Sequence, residues 1–189
     1  MSPDPFDSRP EEYDAWYDEN PQLFREELDL IKDWIGGSPS APAPASSLEI
    51  GAGTGRFTSS LGIGFGIDRA RRALRLARER GVRAVVGDAG ALPFKGECFA
   101  LVGIFFTLEF LAEPRKALEE CHRILAPAGR LLVLHFLPSS PVTKKKGQGF
   151  YAGVVQLYGP RDICGMARGF RLVHERERGD ISALLFAKT

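Results

Sequence analysis

The chain has 189 residues, enough for one domain with at most a small accessory element, and its 44% hydrophobic content suffices for a buried core. Lys and Arg total 25 against 24 Asp and Glu, so a formal net charge of +1 gives no global field toward nucleic acid or membrane. The charge is uneven, however: residues 1–33 hold eleven acidic and three basic side chains, and the remainder holds thirteen acidic and twenty-two basic. An acidic arm against a basic body is expected either to dock on it or to stand as a solvated helix.

Cys98, Cys121 and Cys164 are widely spaced and form no Cys-x-x-Cys pair, which predicts reduced thiols and no metal site. Met1-Ser-Pro-Asp-Pro-Phe6 lacks the basic and apolar regions of a secretory signal, and the longest apolar run, around 99–108, is too short to span a bilayer. A cytoplasmic protein is therefore expected.

In chain order, Tyr13, Trp16, Tyr17, Leu23, Phe24, Leu28, Ile31 and Ile35 recur at helical spacing, which predicts helix over 11–35, divided at Pro21. A Pro/Ala/Ser connector without periodicity follows, so residues 1–46 read as a cap and linker, and 47–189 as the main domain. Strands are predicted at 47–50, 65–68, 84–87, 99–106 and 130–136, with helices at 69–80, 113–125 and 160–168. Two last strands, 170–176 and 181–188, are joined by the turn Arg178-Gly-Asp180. Alternation of this kind argues for a parallel sheet covered on both faces, and the short final turn makes the last strand antiparallel.

The first strand ends in Glu49-Ile-Gly-Ala-Gly-Thr-Gly-Arg56. A phosphate loop would need Gly-Lys-Ser/Thr, and a dinucleotide fingerprint would put glycine where Arg56 stands. The second strand ends Gly66-Ile-Asp68 and the third is followed by Asp88-Ala89, with Ala91-Leu-Pro-Phe94 beyond. Further blocks are Cys98–Phe106 and Leu118-Glu-Glu-Cys-His-Arg-Ile-Leu-Ala-Pro-Ala-Gly-Arg-Leu-Leu-Val133.

These ordered blocks resemble the class I S-adenosylmethionine-dependent methyltransferases, of the ubiquinone/menaquinone, type 11-like kind, from Leu48 to Val133 and more loosely to the C-terminus. The resemblance implies an α/β fold: a Rossmann-like three-layer sandwich with a seven-stranded, mostly parallel sheet, an antiparallel last strand and an N-terminal helical cap. It implies S-adenosylmethionine as cofactor, S-adenosylhomocysteine as product, and cofactor contacts from Glu49, Gly51, Ala52, Gly53, Gly55, Asp68, Arg69, Asp88, Ala89 and Phe105. Asp68 would accept the ribose hydroxyls, Asp88 would face the adenine amine, and Glu49 would lie near the methionyl amino group. Tyr13-Asp-Ala-Trp-Tyr17 resembles the family's aromatic lid.

Departures from the pattern are Ala100 in place of an acid, Thr107-Leu-Glu109 after the fourth strand, and only fifteen residues between Gly53 and Asp68. The helix after the glycine turn must then be one or two turns long, leaving a more open or weaker cofactor site. No catalytic residue is identified; Glu109, His135 and Tyr17 are candidates. With only the arm and 138–159 outside the core, a small-molecule acceptor is expected, although a homodimer could build a larger site. Arg69, Arg71, Arg72, Arg75, Arg78, Arg80 and Arg83 read as a solvated face rather than an RNA track, and Lys144–Lys146 as a solvated loop. An RNA-directed methyltransferase and a non-catalytic cofactor-binding protein on the same fold are the alternatives.

Overall fold

The structure, a computed structural model, describes residues 5–35, 46–145, 148–154 and 156–189. The connector falls largely on 36–45, outside the described residues, as does Lys146.

The arm forms α1 (Pro5–Ser8), α2 (Pro10–Glu19) and α3 (Pro21–Ile35). Pro10 and Pro21 each open a helix, where a missing N–H costs nothing. The sheet then begins with β1 (Ser47–Ile50), α4 (Arg56–Ser60), β2 (Phe65–Asp68), α5 (Ala73–Glu79), β3 (Arg83–Val86) and β4 (Phe99–Phe105). It continues with α6 (Pro114–Ile124), β5 (Leu125–Phe136), α7 (Val142–Lys145), α8 (Pro160–Met166), β6 (Phe170–Arg178) and β7 (Ile181–Lys188).

Strand order is β3-β2-β1-β4-β5-β7-β6. The first five strands of this order run parallel, and β7 is antiparallel to both β5 and β6. Side-chain alternation sends successive residues to opposite faces. Val102 and Ile104 of β4, Leu131 and Val133 of β5, and Leu184 and Phe186 of β7 join one core with Leu118 and Ile163 of α6 and α8. Leu101, Phe105, Leu132, Leu134, Ala183 and Leu185 join the other, with Leu28 and Ile31 of α3. The three-layer sandwich expected from the sequence is present. Each fully buried Leu or Ile contributes roughly 1.5–3 kcal/mol of apolar transfer free energy.

Three local differences stand out, the first two with a physical cause. The helix predicted at 69–80 is shortened to 73–79, because Asp68 Oδ1 accepts the Ala70 N–H at 2.8 Å and holds the chain in a turn. β5 starts at Leu125, directly after α6, because Leu125 pairs with Phe99 before the register jumps to Leu101 opposite Arg130. Ala126–Gly129 is the excess chain, with Pro127 unable to donate and Ala128 at φ 59°. Lys144 and Lys145, expected in a loop, belong to α7.

The acidic arm docks on the arginines through part of its charge, while Glu11, Glu12, Asp18, Glu19 and Asp29 stay exposed. Asp14 meets Arg56 and Arg80, and Asp7 Oδ1 accepts the Arg72 N–H at 2.8 Å. Arg78 donates to the Ala84 carbonyl, and Arg83 stacks on Phe65 at 4.1 Å. The arginine-rich segment is nevertheless the solvated face expected, since Arg69, Arg71, Arg72, Arg75, Arg78 and Arg83 are exposed and only Arg80 is partly buried.

Candidate cofactor site

The carboxyl ends of β1 and β4 are the place where strand order reverses, and ligands of open α/β sheets bind there. The turn after β1 is held by the Gly51 and Ala52 N–H groups, which donate to the Ile67 carbonyl at 2.8 and 3.1 Å. Gly51 has φ 75°, and a Cβ on it would stand 2.1 Å from Thr107 Oγ1. Only glycine fits between this turn and the segment that follows β4.

Asp68 organises the next turn. Its Oδ2 accepts the Gly53 N–H at 2.8 Å while its backbone carbonyl accepts the Gly87 N–H at 3.0 Å. One residue thereby links the ends of β1, β2 and β3. Asp88 Oδ1 accepts the Gly90 N–H at 2.7 Å, which fixes that carboxylate at the adjoining rim.

These turns enclose a cavity of about 680 Å³. Of the predicted cofactor residues, Gly51, Gly53, Asp68, Arg69, Asp88, Ala89 and Phe105 line it. Glu49, Ala52 and Gly55 do not. Glu49 is buried beneath the turn, where its Oε2 accepts the Thr58 hydroxyl at 2.5 Å. Burial pushes its carboxyl up to about 8, against the Thr58 hydrogen bond. Gly55 is a packing glycine, since a Cβ there would come within 2.9 Å of the Ala77 backbone on α5.

The three catalytic candidates are also absent from the lining. Glu109 is fully buried, with Oε1 accepting the Phe136 N–H at 2.7 Å and the carboxyl raised by burial to about 7. His135 is buried in β5 with Nδ1 3.2 Å from the Phe136 oxygen, and burial lowers it to about 4. Tyr17 packs inward against Phe24 and Phe57. Their sequence positions follow the right strand or helix, but each side chain points into packing.

Other side chains take the place of these candidates. Tyr13 lines the cavity, its hydroxyl 3.4 Å from that of Tyr17, and burial raises its pKa well beyond the usual range. Phe6, Phe106, Thr107 and Phe110 also line it, with Phe6 edge-on to both Tyr13 and Phe110 at 5.1 Å. Phe6 precedes the periodic stretch of the sequence, so no pattern marked it.

A family model described as a methyltransferase domain matches residues 48–133, which run from β1 through most of β5. Over that segment the chain matches the class I S-adenosylmethionine-dependent methyltransferases. An uncharacterized protein of Methanocaldococcus jannaschii is 35% identical over 128 residues, covering 68% of this chain and 59% of the relative. The ubiquinone/menaquinone biosynthesis C-methyltransferase of a Ruegeria species is 35% identical over 133 residues, 61% of this chain and 51% of its own length. The chain thus spans less than two thirds of these relatives. A solved Thermotoga maritima structure, described as an S-adenosylmethionine-dependent methyltransferase and "possible histamine N-methyltransferase", aligns over 98% of both chains with TM-score 0.86 and 26% identity.

The residues present fit the cofactor that the family implies. Gly53 has nothing within 4 Å of where a Cβ would stand, so ligand atoms can reach the turn's backbone. Asp68 and Asp88 offer carboxylate acceptors beside it, and Ile67, Ala89 and Leu111 supply apolar walls.

Proposed function

We propose that this chain is an S-adenosylmethionine-dependent methyltransferase acting on a small-molecule acceptor. The observation that carries the reading is a single cavity combining the glycine turn and Asp68 and Asp88 with an aromatic group, Phe6, Tyr13, Phe106 and Phe110. At about 680 Å³ it lies in the ordinary range for a small-molecule site.

The bound cofactor would supply an already activated sulfonium methyl. The chain's part is then to orient the acceptor for in-line approach and to exclude water. Asp68 would accept ribose hydroxyls, and Asp88 would face the adenine amine. Tyr13 is kept protonated by its burial, so it serves as a hydrogen-bonding and packing group rather than a base. Glu109, His135 and Tyr17 do not line the cavity, so the proposed scheme assigns no base to them.

A small acceptor is favoured over RNA because Arg56, Arg72 and Arg80 are occupied by the arm. Among the described residues no helix is long and apolar enough to cross a membrane; a cytoplasmic location belongs to the same proposal. Calorimetry with S-adenosylmethionine and S-adenosylhomocysteine, on wild type and Asp68→Ala, tests cofactor binding. A labelled-methyl screen over phenols, thiols, amines and carboxylates then tests turnover. Binding of neither cofactor form removes the reading; binding without transfer to any acceptor favours a non-catalytic role.

A further inference from the structure

Asp14 stands at the junction of the cap and the cofactor turn. Its Oδ1 accepts Arg56 Nε–H at 2.7 Å, and its Oδ2 accepts Arg56 Nη2–H at 3.0 Å and Arg80 Nη2–H at 2.6 Å. Arg56 is the first residue of α4, immediately after the glycine turn. Arg80 uses its other nitrogen, Nη1, to donate to the Thr54 carbonyl at 2.9 Å. Thr54 follows Gly53, whose N–H is bound by Asp68. A continuous set of bonds therefore runs from Asp68 through the turn and the two arginines to α2.

This cluster differs from the other arm contacts. The side chains of Asp14 and Arg56 are each only 14% exposed, whereas the Arg72–Glu11 pair is 48% and 66% exposed at 3.7 Å. Exposed pairs of that kind contribute little, and sheltered bidentate ones contribute more. Burial alone would push the Asp14 carboxyl up, yet bonds from Arg56, Thr54 and Arg80 outweigh it and hold the group below its ordinary value. The next-door residue Tyr13 faces the cavity, and Tyr17, one turn on, lies under the Arg56 guanidinium at 5.8 Å.

We propose that Asp14 is a positioning residue that ties the seat of the helical cap to the conformation of the cofactor turn, so that cofactor binding and the placement of Tyr13 reinforce each other. This rests on the cofactor reading above. The coupling is reciprocal: whatever orders residues 51–56 stabilises α2 against them, and loosening α2 weakens the ligand that orders them. Asp14 touches neither cofactor nor acceptor; it acts through Arg56, Arg80 and Tyr13.

The test is region-resolved hydrogen exchange of the full chain with and without S-adenosylhomocysteine, alongside its dissociation constant by calorimetry. In wild type the ligand should slow exchange in both 51–58 and 10–19. In Asp14→Asn it should still slow 51–58 but leave 10–19 unchanged, with affinity reduced about tenfold. Asp14→Glu, which keeps the charge, should recover part of both effects. Arg80→Met, which spares the Arg56 pair, gives a milder version should Asp14→Asn fail to fold. Wild-type affinity and wild-type cap protection in these variants overturn the proposal while leaving the cofactor reading intact. Absence of S-adenosylhomocysteine binding to wild type overturns both.

Discussion

Asp68 Oδ2 and the Gly53 N–H are 2.8 Å apart, joining the end of β2 to the turn after β1 across fifteen residues of chain. The same carboxylate takes the Ala70 N–H with its other oxygen, also at 2.8 Å. Asp68 consequently shapes the turn as well as offering an acceptor to a ligand. Asp68→Ala should cut S-adenosylhomocysteine affinity by about a hundredfold, as expected for losing hydrogen bonds to a charged group worth roughly 1.5–3 kcal/mol each. Asp68→Asn should lose less, because its amide oxygen still accepts one of the two N–H groups. Calorimetric affinities within twofold of wild type for both variants would show that the carboxylate has no part in binding.

Two glycines of the turn should fail in different ways. Gly51→Ala forces a Cβ onto Thr107 at φ 75°, beside the cavity, so ligand affinity should fall with stability. Gly55→Ala strikes the backbone of α5 outside the cavity lining, so it should lower the melting temperature by the equivalent of about 1–3 kcal/mol. Any Gly55→Ala protein that folds should bind S-adenosylhomocysteine more nearly normally than Gly51→Ala. The reverse ranking would show that the turn is not organised around these contacts.

Stability should fall as pH rises from about 6.5 to 8. Glu27 is raised to about 8 by burial and by the charge of Asp180, Glu49 to about 8, and Glu109 to about 7. Each binds a proton more tightly folded than unfolded. Its stabilising contribution is complete below about 4.5 and is lost as pH climbs through the folded value, by at most about 1.4 kcal/mol per pH unit for each group. His135, lowered to about 4, and Asp14, also lowered, act oppositely and on the acid side. Glu27 Oε2 has no hydrogen-bond partner among the described residues, and its charge faces Tyr13, Tyr17 and Tyr151. Glu27→Gln should therefore flatten the melting curve against pH on the alkaline side. An unchanged slope would show that Glu27 titrates normally.

Arg71 and Arg75 are exposed members of the arginine-rich segment, alongside Arg69, Arg72, Arg78 and Arg83. Replacing both by Ala should leave stability within about 0.5 kcal/mol. Labelled single-stranded RNA should bind the wild type weakly and identically to this double variant between about 50 and 200 mM salt. A steep salt dependence that the double variant abolishes would favour the RNA-directed alternative.

Much of the fold was legible because the sheet is buried on both faces: β4 and β5 read as apolar runs, and glycine or proline bounds nearly every helix. The strand ends carrying Asp68 and Asp88 could likewise be placed, since strand and motif coincide there. What escaped were features decided by distant partners. Whether Glu49 faces ligand or Thr58 depends on α4, which lies beyond the turn. His135 and Glu109 sit close to the cavity in sequence logic, yet backbone bonds near Phe136 turn both inward. Asp14 reads as one acid among eleven in the arm, and only tertiary folding brings Arg56 and Arg80 to it.

The cavity wall carries the carboxylates of Asp68, Asp88 and Glu113 against the single guanidinium of Arg69. On the proposed methyltransferase function, that imbalance would bear on turnover. Methyl donation converts a cationic sulfonium to a neutral thioether, so a net negative wall holds the spent molecule less firmly than the fresh one. The charge that would draw in the donor would thus become, after transfer, a reason for the product to leave, and low ionic strength should widen the gap between their affinities.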